Sequence, residues 1–118
     1  MARVELRDQW VVAEDIQIVQ QKLLFFFAAH KMKVKYQTEQ MLVVRQGSQF
    51  KTRFMGGIAV TPETLPKKAT VALALTPAGA QLDVVIEEAL GFGSIVGLKQ
   101  KYADYFAVWL QTLKQVLV

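Results

Sequence analysis

The hydrophobic pattern of the chain has a helical period in two stretches and a period of two in most of the rest. From Leu98 to Val118, apolar side chains fall within one arc of a helix and polar side chains fall opposite. The apolar arc is rich in aromatic residues, so this helix is predicted to cover a broad apolar surface. Its members are Leu98, Tyr102, Tyr105, Phe106, Trp109, Leu110, Leu113, Val116 and Leu117.

A first helix is predicted over Glu14–His30, with acidic residues in the first turn, where the helix dipole favours them. Ile18 and Phe25 lie opposite its core-facing stripe, and Leu24 lies on the flank. A helix that faces a single core does not need them there. Three interpretations stay open: other parts of the chain cover them, they bind a second copy or a protein partner, or they contact a membrane surface. The core-facing stripe consists of Ile16, Val19, Leu23, Phe26 and Phe27.

Alternating apolar and polar residues predict six strands. These strands are Ala2–Arg7, Lys31–Tyr36, Met41–Gln46, Gln49–Met55, Ala69–Thr76 and Gln81–Glu88. Gly56–Lys68 is predicted as the longest irregular loop. Short turns predict that the last five strands form an antiparallel meander with one covered face. The fold class is a two-layer α+β domain over residues 1–118, in the order β-α-β-β-β-β-β-α, with both helices packed on one face.

This order of elements resembles a reduced version of the helix-grip arrangement of START and Bet v 1-like proteins. In that arrangement a curved antiparallel sheet wraps a long C-terminal helix. The resemblance rests on element order and not on a residue motif. The first helix here is single and long, where that family usually has two short ones.

Composition and charge narrow the function classes. A chain of 118 residues is long enough for a single core. A mean hydropathy of +0.24 indicates apolar surface that meets a partner, a ligand or a membrane. The net charge of +4 belongs to residues 1–53, which hold nine basic and five acidic side chains.

Cysteine is absent, which excludes disulfides and thiolate metal sites. The N-terminus lacks the apolar core of a signal peptide, and the longest apolar run, Leu23–Ala29, is far shorter than the roughly 18 residues of a spanning helix. We therefore expect a soluble, cytoplasmic protein without a transmembrane segment.

Two local features superficially suggest chemistry. Gly91–Gly97 has the spacing G-x-G-x-x-x-G, but the strand before it alternates, whereas the first strand of a nucleotide-binding fold is buried on both faces. These glycines are expected to turn the chain, or to form a lid with Phe92 at its tip. His30 has no Ser, Asp or Glu near it in sequence and is expected to cap the first helix. We therefore predict no catalytic residue, no metal and no cofactor.

Basic side chains are predicted to collect on the uncovered face of the sheet, on three adjacent strands. Three interpretations stay open: the charged face is exposed to solvent and keeps the sheet soluble, it binds an acidic protein partner, or it binds nucleic acid. Sheets that bind nucleic acid usually add exposed aromatic rings. Because Tyr36, Phe50 and Phe54 share the parity of the core, nucleic acid is disfavoured. The predicted basic face consists of Lys33, Lys35, Arg45, Lys51 and Arg53.

The leading hypothesis is a non-enzymatic binding domain that forms a homo-oligomer or binds a protein through Ile18, Leu24 and Phe25. The first alternative is a carrier of a small apolar ligand, held between the sheet and the C-terminal helix. The second is nucleic-acid binding through the basic face. The ligand-binding residues in the carrier hypothesis are Phe92, Tyr102, Tyr105, Phe106 and Trp109.

Overall fold

The computed structural model of the chain describes residues 5–47, 66–89 and 98–117. These ranges hold five strands and two helices, in an order that matches the predicted one. In chain order the elements are β1 (Glu5–Val12), α1 (Ile16–Ala29), β2 (Lys33–Gln37), β3 (Met41–Gln46), β4 (Lys67–Thr76), β5 (Gly79–Glu88) and α2 (Leu98–Leu117). The predicted strand Gln49–Met55 and the glycine run Gly91–Gly97 lie outside the described residues.

The five strands form one antiparallel sheet in the order β1-β5-β4-β3-β2. Strands β2 to β5 are therefore an antiparallel meander, and β1 adds to its far edge beside β5. The prediction placed Gln49–Met55 next to β3 in this meander, but β4 occupies that edge of β3. One face of this sheet is covered by α1 and α2, so the fold is a two-layer α+β domain. Its centre is formed by β4 and β5, whose inward side chains are almost all buried.

The core forms where the inward rows of the sheet meet both helices. Trp109 of α2 packs edge-on against Phe26, with ring centroids 5.6 Å apart, and stacks with Phe27 at 6.3 Å. Most of the predicted inner arc of α2 is buried, but Val116 is 44% exposed because it lies at the rim of that arc. Burial of each large side chain contributes roughly 2 kcal/mol, which makes the contact between the helices a major source of stability.

Helix α1 begins and ends with specific caps. Asp15 precedes the helix as its N-cap and accepts a hydrogen bond from the Gln17 backbone N–H at 2.7 Å. The C-cap is His30, as predicted, and its ring Nδ1 lies 2.9 Å from the Phe26 carbonyl oxygen. Lys31 then adopts a left-handed conformation, with φ of 60°, and directs the chain into β2.

Several predicted boundaries differ from the observed ones; β4 and β5, for example, each begin two residues earlier than predicted. The first strand continues to Val12 and not only to the predicted end at Arg7, because its pairing with β5 extends to the contact between Val12 and Ala80, whereas the predicted start at Ala2 lies outside the described residues. The predicted loop Gly56–Lys68 ends too late, because Lys67 already pairs with Gln46 and Glu88 as the first residue of β4.

Candidate functional site

The first candidate site is an exposed stripe along α1. Ile18, Gln21, Phe25 and Ala28 are all exposed and follow one another at spacings of three, four and three residues. Such spacing places them on one side of the helix. The Phe25 side chain is 79% exposed and Ile18 is 47% exposed, on the side away from the core. We call these four residues the α1 stripe.

Leu24 lies apart from the α1 stripe, although the sequence grouped it with Ile18 and Phe25. Its side chain is partly buried against the core. It borders an open groove of about 380 Å³ between α1 and the β2–β3 turn, where Gln20 Nε2 donates to the Thr38 carbonyl oxygen at 2.8 Å. The groove is lined by Ile16, Gln17, Gln20, Gln21, Leu24, Gln37 and Glu39.

The second candidate site is a groove of about 270 Å³ at one end of β2 and β3, which we call the basic groove. Its lining brings together three predicted basic residues, because Lys33 lies directly opposite Arg45 and Lys35 follows on the same strand. Lys51 and Arg53 lie outside the described residues. Strand β4 pairs with the other edge of β3 and places Lys68 opposite Arg45. The lining residues are Lys31, Lys33, Lys35, Arg45, Gln46 and Gly47.

Charge is uneven across the uncovered face. Three ion pairs occur among the described residues, and none includes a cation of the basic groove. The carboxylates on this face lie toward the opposite edge of the sheet, on β1 and β5. One row across the strands reads Glu5, Glu87, Lys68, Arg45 and Lys33, from acidic to basic. The basic groove is therefore a region of concentrated positive charge.

Tyr36 lies on the uncovered face, which corrects the prediction that it shares the parity of the core. The pairing of β2 with β3 shifts between Val34 and Tyr36, so that Val34 pairs with Val44 and Tyr36 pairs with Val43. A bulge of this kind inserts one residue, here Lys35, and reverses the side chains that follow it. The Tyr36 side chain is 54% exposed. An aromatic ring thus accompanies the cations of this face.

Sequence reasoning missed a polar cluster inside the core. Lys67 is completely buried, with its Nζ 3.1 Å from Gln46 Oε1 and 4.8 Å from the centre of the Tyr105 ring. The amide nitrogen of Gln46 donates to the His30 carbonyl oxygen at 2.5 Å. One signal was present in the sequence: Lys67 has the same parity as Ala69, which is buried on the same strand.

Tyr102 lies near this cluster and fixes α2 to the start of β4. Its hydroxyl donates to the Pro66 carbonyl oxygen at 2.6 Å. Burial, with a smaller effect from the Glu88 carboxylate, raises the pKa of Tyr102 above its ordinary value. The hydroxyl therefore stays protonated at neutral pH and acts as a hydrogen-bond donor.

The aromatic residues of the carrier hypothesis mostly fill the core. Tyr102, Phe106 and Trp109 are buried, and the rings of Tyr102 and Phe106 lie 5.4 Å apart. Tyr105 is partly buried, and its ring centroid lies 6.2 Å from that of Phe106. Phe92 lies outside the described residues. The Trp109 indole nitrogen has no hydrogen-bond partner among the described residues.

Neither a metal cluster nor a membrane-spanning helix is found in residues 5–47, 66–89 and 98–117. Within these ranges, no three His, Cys, Asp or Glu side chains are placed to hold a metal ion. Neither α1 nor α2 combines the length and apolar character needed to cross a bilayer.

Comparisons with known proteins identify the fold. No protein-family model matches the chain, and no curated protein matches it. The protein ChR145 from Cytophaga hutchinsonii is 11% identical and aligns with a TM-score of 0.56 over 99% of this chain and 96% of its own. The protein MLL2253 from Mesorhizobium loti is 13% identical, with a TM-score of 0.53 over 97% of this chain and 96% of its own. Both were solved as structural genomics targets, and at these identities the similarity shows the fold alone.

Proposed function

We propose that this protein is a non-enzymatic binding domain that self-associates through the α1 stripe. The observation that carries the proposal is the exposure of Phe25, a large aromatic side chain in the middle of a regular helix. Exposed side chains of this size are depleted from solvent-facing helix surfaces and enriched at interfaces between proteins.

The geometry of the α1 stripe suits a second copy of the same helix. A spacing of three, four and three residues is that of an interface between paired helices. In an antiparallel pair around a two-fold axis, Phe25 of one copy lies beside Gln21 of the other, and Ile18 lies beside Ala28. Large side chains then meet smaller ones, so the stripe is complementary to itself.

Charge does not oppose this pairing. Lys22, which flanks the stripe, forms an ion pair with Glu14 at 3.0 Å, so its ammonium is neutralised within its own copy. The interface is nevertheless small. We therefore expect a weak, concentration-dependent dimer.

Sedimentation velocity across protein concentrations of about 10 µM to about 1 mM tests this function. The wild type should shift from monomer to dimer, and Phe25→Glu should remain a monomer with an unchanged circular dichroism spectrum. The matched control is Val108→Glu, which places the same charge at an exposed apolar position of α2. If Phe25→Glu and the wild type sediment alike at every concentration, the proposal is wrong. Native mass spectra of the same samples would reveal a monomer with a bound small molecule, the outcome that favours a carrier.

A further inference from the structure

A second function rests on the basic groove and is independent of the α1 stripe. Four cations line this groove: three lie on β2 and β3, and the fourth is Lys31, which follows the C-cap of α1. Directly opposite residues of an antiparallel pair have Cβ atoms about 5 Å apart, so Lys33 and Arg45 present adjacent positive charges. Like charges so close repel each other, and an anion between them relieves the repulsion.

Lys31 occupies a left-handed backbone position at the end of α1. Its left-handed backbone completes the end of α1: the Lys31 N–H donates to Ala28 and the Met32 N–H donates to Phe27, at 3.1 and 2.8 Å. Glycine is the usual residue at this position, and another residue costs roughly 1 kcal/mol. A lysine placed there against this preference supplies a fourth cation to the groove.

The bulge in β2 adds an aromatic ring to the cations, and this ring indicates the kind of anion that the site binds. It turns Tyr36 onto the uncovered face, beside Val43 and diagonal to Arg45, at a separation that long side chains span. Bulges often redirect a side chain at a binding site. An exposed aromatic ring next to a row of cations is the arrangement by which sheets bind single-stranded nucleic acid, with bases stacked on the ring and phosphates on the cations.

We propose that the basic groove and Tyr36 together bind single-stranded nucleic acid, with Lys31, Lys33, Lys35 and Arg45 on the phosphates and Tyr36 under a base. Binding is independent of sequence, because the site contacts backbone charge and a ring face. An acidic protein would use the same cations but would gain little from the ring. The effect of a substitution at Tyr36 therefore distinguishes nucleic acid from an acidic protein as the partner.

Fluorescence anisotropy with a labelled oligothymidylate, measured across a salt series, tests the site. Four phosphate contacts predict a slope of log K against log salt of about −3. Lys33→Gln/Lys35→Gln should reduce the magnitude of this slope by about 1.4. The control is Arg7→Gln/Lys22→Gln, which also removes two positive charges. Arg7 lies on β1, at the acidic edge of the sheet, and Lys22 lies on α1. This control should leave the slope unchanged.

Tyr36→Ala should weaken binding by about 5-fold to 150-fold at constant slope, because loss of one stacked base costs about 1–3 kcal/mol. Tyr36→Phe keeps the ring and should bind like the wild type. Phe25→Glu should also bind normally, which separates this site from self-association. If the wild type fails to bind at low salt, if both double variants lose binding equally, or if polyglutamate competes as well as the oligonucleotide and Tyr36→Ala has no effect, the proposal is overturned.

Discussion

The ammonium of Lys67 and the side-chain oxygen of Gln46 lie 3.1 Å apart inside the core, at the end of the sheet that carries the basic groove. Gln46 connects the two regions, because it lines the groove and also donates to the His30 carbonyl oxygen. The Gln46 amide therefore contacts the buried ammonium of Lys67 and the end of α1, and it also lines the basic groove.

Gln46→Leu should destabilise the fold by about 2 kcal/mol. The substitution keeps a similar volume but removes an acceptor from a buried ammonium and a donor from a carbonyl oxygen. Urea unfolding followed by circular dichroism measures the effect. Gln9→Leu, at an exposed position of β1, is the control and should change stability by less than about 0.5 kcal/mol. Equal effects of the two substitutions would show that the Gln46 amide contributes nothing special.

Gly79→Ala should be among the most damaging single changes. Gly79 has a φ of 135°, and a Cβ at this position would stand 2.1 Å from the Val12 carbonyl oxygen. The clash involves backbone atoms at the end of β1, so β1 and the β4–β5 hairpin would have to separate. We expect a loss of more than about 2 kcal/mol or failure to fold. The neighbouring change Ala78→Gly, in the same turn, should cost far less, and a stable Gly79→Ala protein would contradict this packing.

Lys31→Gly should leave stability unchanged or raise it by up to about 1 kcal/mol, because glycine adopts the left-handed conformation without strain. Lys31→Val should lower stability by more than about 1 kcal/mol, because a β-branched residue is least tolerant of positive φ. Thermal unfolding of the two variants measures the difference. The Lys31→Gly protein should nevertheless bind oligothymidylate with a smaller salt slope, which separates the structural cost of this lysine from its use.

The Asp8–Lys114 pair gives a prediction about pH. The hydrogen bond to Lys114 lowers the pKa of Asp8 below its ordinary value of 3.8. A lowered folded-state pKa contributes stability above the ordinary pKa, and the contribution is lost as pH falls through the folded value. Asp8→Asn should thus cost less than about 1 kcal/mol at pH 6, and the difference from the wild type should shrink as pH falls below the ordinary pKa of Asp8. A difference that is constant with pH would show that the charge on Asp8 is irrelevant.

The sequence predicted the features that depend on local geometry. Helical spacing alone placed Ile18 and Phe25 on the exposed side of α1 and Trp109 in the core, because side-chain direction on a helix repeats every 3.6 residues. Short turns in the same way predicted an antiparallel meander.

Features that depend on pairing between distant strands were not predicted. Val34 and Tyr36 have the alternation of a regular strand, and only the register against β3 reveals the bulge between them. Lys67 was assigned to a loop because the glycines and prolines of Gly56–Lys68 are typical of irregular segments. Its burial depends on Gln46 and Tyr105, which other elements supply.

Self-association through α1 is the central claim, and cross-linking between copies tests it most directly. The chain has no cysteine, so Gln21→Cys introduces a single thiol in the α1 stripe, and Ala103→Cys introduces one at an exposed position of α2. With a short bis-maleimide, Gln21→Cys should form a covalent dimer that disappears when Phe25→Glu is added, whereas Ala103→Cys should remain monomeric. Equal cross-linking of the two cysteine variants, or a Gln21→Cys dimer that survives Phe25→Glu, would contradict the proposed interface.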